Sequence, residues 1–287
     1  MLSGARSPWI SLKLAVSVST SGVVLANNRR FCASRICLAA VFASGHSFAG
    51  VVLIAGDLAT LPSLSFDEYD VVVHTAMSDK NPVGMDKFAV DVFTASRRPF
   101  LYTSGVWVLG TTMKADESTK VNPLQLVVWR AEHEQQVLAS GGAVLRPGCC
   151  YGGKQSLLAE WFASVEQGRP ISIVGDGKNR WALVHLDDLA DCYVHAIEQR
   201  ATGILHAIDD THASLNDCAR ALSKDAKIEH LPVDRKKLGS FADALTVDQV
   251  ISSAATRRKL GWKPKRTFVS SIDEQWREWR SARELDQ

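Results

Sequence analysis

The sequence predicts an α/β fold: a doubly wound parallel sheet with helices on both faces. Two observations carry this. Short apolar runs that are hydrophobic on both parities recur along the chain, as in strands covered on both faces. Segments with helical spacing lie between them, and strand alternating with helix implies right-handed crossovers.

The runs appear in order. Val51–Ala55 stops at Gly56-Asp57, and Tyr69–Ala76 is a second run. Met85, Phe88, Ala89, Val92 and Phe93 fall on one helical face. Phe100-Leu-Tyr is the next strand, and Val127, Val128, Ala131, Val137 and Leu138 mark a second helix. Gly142–Arg146 follows as a strand. Leu157, Leu158, Trp161, Phe162 and Val165 form a helix closed by Gly168, with Pro170 beyond. Ile171–Val174 is a strand with a turn at Gly175. The run "RWALVHLDDLADCYVHAIE" passes from strand to helix at Asp187-Asp188. Phe268, Ile272, Trp276 and Trp279 give a final amphipathic helix. The sequence divides into residues 1–45, a main domain over 46–207, and a C-terminal substrate-binding region over 208–287 interleaved with 152–180.

Composition is that of a globular protein: 287 residues, 46% hydrophobic and 22% charged, long enough for an ample core. A net charge of +2 gives no argument for nucleic acid or an anionic membrane as partner. Six cysteines without metal-ligand spacing read as small core residues of a reduced, cytoplasmic protein, and no metal is expected. Before Asp57 the chain carries five basic residues, many serines and no acid. That segment reads either as a mitochondrial or plastid transit leader or as a degenerate first βα unit. No apolar run there reaches the ~18 residues of a spanning helix.

"GDL" at 56–58, "YDVVVHTA" at 69–76, "YTSGVWVLG" at 102–110, "RPGCCYGG" at 146–153, "WALVHLDDLA" at 181–190 and "KLGWKP" at 259–264 follow one another in family-like order. In this the chain resembles the extended short-chain dehydrogenases, and more narrowly the NAD(P)-dependent epimerase/dehydratase-like proteins. The resemblance implies a Rossmann-type sheet and NAD or NADP as cofactor. It places Asp57 and Leu58 at the adenine end and Thr75 and Ala76 near the nicotinamide ribose. Ser104 would polarise the substrate oxygen, with Thr103 on the cofactor side. Pro147-Gly148 and Tyr151-Gly152 resemble the turn beside the nicotinamide, and Tyr151, Arg180 and Trp181 are the expected substrate contacts.

Two departures stand against that pattern. The glycine-rich phosphate turn has its best match in Ser19–Leu25, which keeps only Gly22. The family's Tyr-x-x-x-Lys pair maps to Leu126 and Arg130, and leucine transfers no proton. Arg130 keeps a charge but not a tunable ammonium. Asp187 or Asp188 is expected to cap its helix, His185 to pack, and Arg257, Arg258 and Lys259 to form a solvated face. The resemblance thus implies an NAD(P)-dependent oxidoreductase or nucleotide-sugar-epimerase-like enzyme acting at a CH–OH/C=O centre of a small molecule, with a homodimer as the candidate oligomer. The departures favour the alternative, a catalytically impaired NAD(P)-binding or regulatory scaffold.

Overall fold

The computed structural model describes residues 13–18, 22–27, 51–55 and 61–284, apart from 63, 64, 68, 79, 154 and 155. Thirteen strands and nine α-helices are found among them. The main sheet has seven strands: β1 (Lys13–Val18), β2 (Gly22–Asn27), β3 (Val51–Ala55), β4 (Val71–His74), β5 (Phe100–Thr103), β7 (Ala143–Pro147) and β11 (Gly203–Ala207). Their order is β11-β7-β5-β4-β1-β2-β3. β1 and β4 pair in parallel, as do β4 and β5, whereas β1–β2 and β2–β3 are antiparallel. The predicted parallel sheet is therefore present, with an antiparallel meander at its N-terminal edge. Only residues 19–21 join β1 to β2, and a parallel return needs a dozen residues or more.

The chain forms two compact units. The first comprises residues 1–103, 133–144 and 193–203. Its core packs Val72, Phe100, Tyr102 and Val144 against Ala89, Val90 and Phe93 of α1 (Pro82–Ala95) and Val137 of α2 (Arg130–Ala139). α1 starts where it does because Pro82 needs no backbone donor and the Asn81 side chain accepts from Gly84 N at 3.0 Å. Its buried face is Asp86, Ala89, Val90 and Phe93. Phe88 and Val92 of the predicted stripe are half-buried, so the face is rotated by part of a turn. The reason is Asp86, a polar residue that periodicity assigns to solvent.

The second unit comprises residues 104–132, 145–192 and 204–287. Three two-stranded parallel pairs build it: β8 (Cys149–Tyr151) with β10 (Leu183–His185), β9 (Ile171–Val174) with β12 (Ile228–Leu231), and β6 (Thr112–Ala115) with β13 (Gln249–Ile251). Its main core joins Trp161 and Phe162 of α3 (Ala159–Glu166), Trp181, Leu215, Phe268 and Trp279. The ring of Trp279, on α9 (Ile272–Glu284), lies 6.0 Å from that of Phe162, and Trp276 meets the same ring edge-on at 4.9 Å. The predicted strand-to-helix change falls between β10 and α4 (Leu186–Glu198). Among the described residues no helix is long and apolar enough to cross a membrane.

Candidate active site

The two hydroxyls that end β5 have different fates. Thr103 Oγ1 lies 2.6 Å from Tyr193 Oη, within the first unit. Ser104, in the second unit, donates its backbone N–H to Leu145 O at 2.8 Å. Its side chain is buried at 8% exposure, and Oγ has no hydrogen-bond partner among the described residues. A buried hydroxyl without a partner is costly.

Leu126 lies in a 3-10 turn, Gln125–Val127, and Arg130 is the first residue of α2. The predicted helix thus begins later than the apolar spacing suggests. In a 3-10 turn residues four apart are rotated by about 120°, against about 40° in an α-helix. The pair at 126 and 130 is therefore not stacked on one α-helical face. The Arg130 guanidinium sits 4.5 Å from the Trp129 ring centroid, a cation–π contact.

Several expected site residues are committed elsewhere. Tyr151 is buried, and its hydroxyl donates to Asp209 Oδ2 at 2.7 Å. Burial and the neighbouring carboxylate push its phenol well above the ordinary range. It is not open to substrate as expected. Arg180 forms a two-pronged pair with Asp248, Nε to Oδ1 and Nη2 to Oδ2 each at 2.8 Å. The same carboxylate accepts the Arg180 backbone N–H at 2.9 Å. Trp181 is buried with its Nε1 unpartnered among the described residues, so its indole keeps a donor that a ligand could satisfy.

Gly148 is required by close approach. A Cβ there would stand 2.7 Å from Ala182 O, and its N–H donates to Ala207 O at 2.9 Å. Pro147 beside it is buried. In the first unit Ala76 is buried and Thr75 half-buried, both just beyond β4. Gly22 opens a strand, with Val18 opposite it in the β1–β2 register. Gly22 leads straight into β2, so among the described residues it meets no helix N-terminus to receive a phosphate, which corrects the expected turn. Asp57, Leu58 and Ser19 lie outside the described residues.

His185, Asp187 and Glu278 bring their ligand atoms within 4.8 Å of one another. His185 Nδ1 accepts the Asp187 backbone N–H at 3.2 Å, which leaves the proton on Nε2, donated to Glu278 Oε2 at 3.1 Å. Arg266 Nη2 stands 3.3 Å from Asp187 Oδ2. His185 is thus hydrogen-bonded to Glu278, and Asp187 is ion-paired with Arg266. Asp188 does not cap its own helix as expected. Fully buried, it accepts the backbone N–H groups of Lys265 and Arg266 at 3.0 and 2.9 Å and Arg266 Nη1 at 3.2 Å. Asp209 and Asp86, both buried and hydrogen-bonded, are polar centres that sequence reasoning missed, because His74, Tyr102 and His133 lie twelve or more residues from Asp86, and Tyr151 lies 58 from Asp209.

A family model described as the NAD dependent epimerase/dehydratase family matches residues 127–207. It is the family whose motifs the sequence resembles. An uncharacterized protein of Saccharomyces cerevisiae is 28% identical over 182 residues, 59% of this chain and 61% of its own length. The chain thus spans about three fifths of that relative. An uncharacterized protein of Schizosaccharomyces pombe is 26% identical over 215 residues, 68% of this chain and 73% of its own. Among solved structures, a dTDP-glucose 4,6-dehydratase from Bacillus anthracis in complex with NAD superposes with a TM-score of 0.69 at 15% identity, covering 80% of each chain. A human epimerase family protein with NADPH superposes at 0.66 and 15% identity, over 77% of this chain and 86% of that one. These likenesses establish the α/β Rossmann-type architecture.

Proposed function

We propose that the chain is an NAD(P)-dependent oxidoreductase or nucleotide-sugar-epimerase-like enzyme acting at a CH–OH/C=O centre of a small molecule. The observation that carries this reading is the buried, unpartnered Ser104 hydroxyl at the carboxyl end of β5, where open α/β sheets bind ligands. The family match and the neighbours crystallised with NAD or NADPH support the cofactor class.

The residues present fit the cofactor at its nicotinamide end. Thr75, Ala76 and Thr103, at the ends of β4 and β5 in the first unit, would hold that end. The pyrophosphate end has no such support at Gly22, which begins a strand. The nicotinamide, when bound, supplies hydride transfer. Ser104 Oγ donates a hydrogen bond to the substrate oxygen, in a setting where exclusion of water strengthens that bond. Arg130 contributes fixed positive charge. Leu126 supplies no proton, and general acid–base catalysis contributes about 10²–10⁴-fold, so turnover should be slow unless solvent or Ser104 delivers the proton.

The second reading, an impaired NAD(P)-binding scaffold, draws on Leu126, Gly22 and the commitment of Tyr151 to Asp209. Turnover of a panel of aldehydes, ketones and nucleotide sugars, followed by the absorbance of reduced cofactor, separates the two. The enzyme reading expects activity with at least one compound and a loss of about 10²-fold in Ser104→Ala. Cofactor binding without any Ser104-dependent turnover leaves the scaffold.

A further inference from the structure

The first unit has a buried polar centre that the proposed function leaves unused. Asp86, on the inner face of α1, is 1% exposed. Its Oδ1 lies 3.1 Å from His74 Nε2, and its Oδ2 accepts from Tyr102 Oη at 2.6 Å and meets His133 Nδ1 at 2.6 Å. His74, Tyr102 and His133 are all buried, at 1%, 0% and 3%. One carboxylate therefore ties together the ends of β4 and β5 and the first turns of α2.

The register makes these ties consequential. His74 stands opposite Tyr102 in the parallel pair, and their rings stack at 5.9 Å. Side chains alternate along a strand. His74 and Tyr102 point to the α1 face, so Thr103, next along β5, turns to the other, and Thr75 and Ala76 follow directly on His74. Fixing His74 and Tyr102 thus fixes where each strand end delivers its next residues. A buried polar hub is a poor choice for stability alone, because apolar packing of equal volume serves as well or better. His74 Nδ1 is buried with no partner among the described residues. The orientation of that ring follows Asp86 and does not satisfy both of its nitrogens.

We propose that Asp86 is a positioning residue: through His74 and Tyr102 it holds Thr75, Ala76 and Thr103 in the arrangement that receives the cofactor. The inference rests on the NAD(P)-binding reading above. Its test is a fluorescence titration with NADH and NADPH of the wild type, Asp86→Asn, Tyr102→Phe and Leu61→Ala. Leu61 is buried in the same core and takes no part in the network. Asp86→Asn is expected to weaken cofactor binding about tenfold, the size of one lost charge-assisted hydrogen bond. Tyr102→Phe, which keeps the ring and removes one donor, should weaken it by less. Leu61→Ala should lower Tm while leaving Kd unchanged. Wild-type Kd in folded Asp86→Asn and Tyr102→Phe would overturn the positioning role alone. Equal weakening in Leu61→Ala at matched loss of stability would overturn it too, because the effect would then be generic. A wild type that binds neither cofactor removes the functional reading and this inference together.

Discussion

Asp209→Asn should change the pH dependence of stability by a predictable amount. Asp209 is 3% exposed and burial lifts its carboxyl from 3.8 to about 6, against the hydrogen bonds from Thr211 N and Tyr151 Oη. A raised acid holds its proton more tightly folded than unfolded. Between about pH 4 and about pH 6 the folded state therefore binds more protons, and stability falls as pH rises through that window. The penalty is absent below the window and complete above it. At about 1.4 kcal/mol per pH unit it amounts to about 3 kcal/mol. Asparagine cannot ionise, yet its oxygen still accepts from Thr211 N and its amide can donate to the Tyr151 oxygen. The stability of Asp209→Asn relative to wild type should thus rise by about 3 kcal/mol from about pH 3.5 to about pH 7.5. Urea unfolding read by tryptophan fluorescence measures it, since seven of the eight tryptophans belong to the unit that contains Asp209. A difference independent of pH, or one that falls with pH, would refute the burial argument.

Two further perturbations have outcomes fixed by the same unit. Asp188→Ala strands two backbone donors and takes from Arg266 one of its carboxylate partners, Glu274 remaining, and should cost about 3–5 kcal/mol in urea unfolding. Gly148→Ala forces a methyl against the Ala182 carbonyl, and should lower thermal stability by about 1–3 kcal/mol.

What the sequence disclosed, and what it did not, follows physical lines. The strands at 71–74, 100–103 and 143–147 were readable because burial on both faces leaves short, largely apolar runs, whereas Ile171–Val174 alternates, with Ser172 exposed between two buried isoleucines. β6 and β13 are three or four residues long with polar members, and strands that brief have no periodicity to detect. The start of α2 shifted to Arg130 because a 3-10 turn and an α-helix share the same apolar spacing over so few residues. At the site, Ser104 could be singled out from its place after an apolar run. The commitments of Thr103 to Tyr193, Tyr151 to Asp209 and Arg180 to Asp248 could not, because each joins residues 58 to 90 positions apart. The Asp86 centre was hidden for the same reason. Its members lie at 74, 86, 102 and 133, on two strands and two helices that only the fold brings together.

The central proposal is that this chain holds a nicotinamide dinucleotide, with the Ser104 hydroxyl serving the substrate oxygen. Titration of the purified protein with NADH and NADPH, following cofactor fluorescence, tests it most directly. The account predicts saturable binding of at least one of them, with Ser104→Ala binding as tightly as wild type because that hydroxyl serves the substrate and not the dinucleotide. No saturable change up to roughly millimolar cofactor, weaker than about −4 kcal/mol of binding, would contradict it.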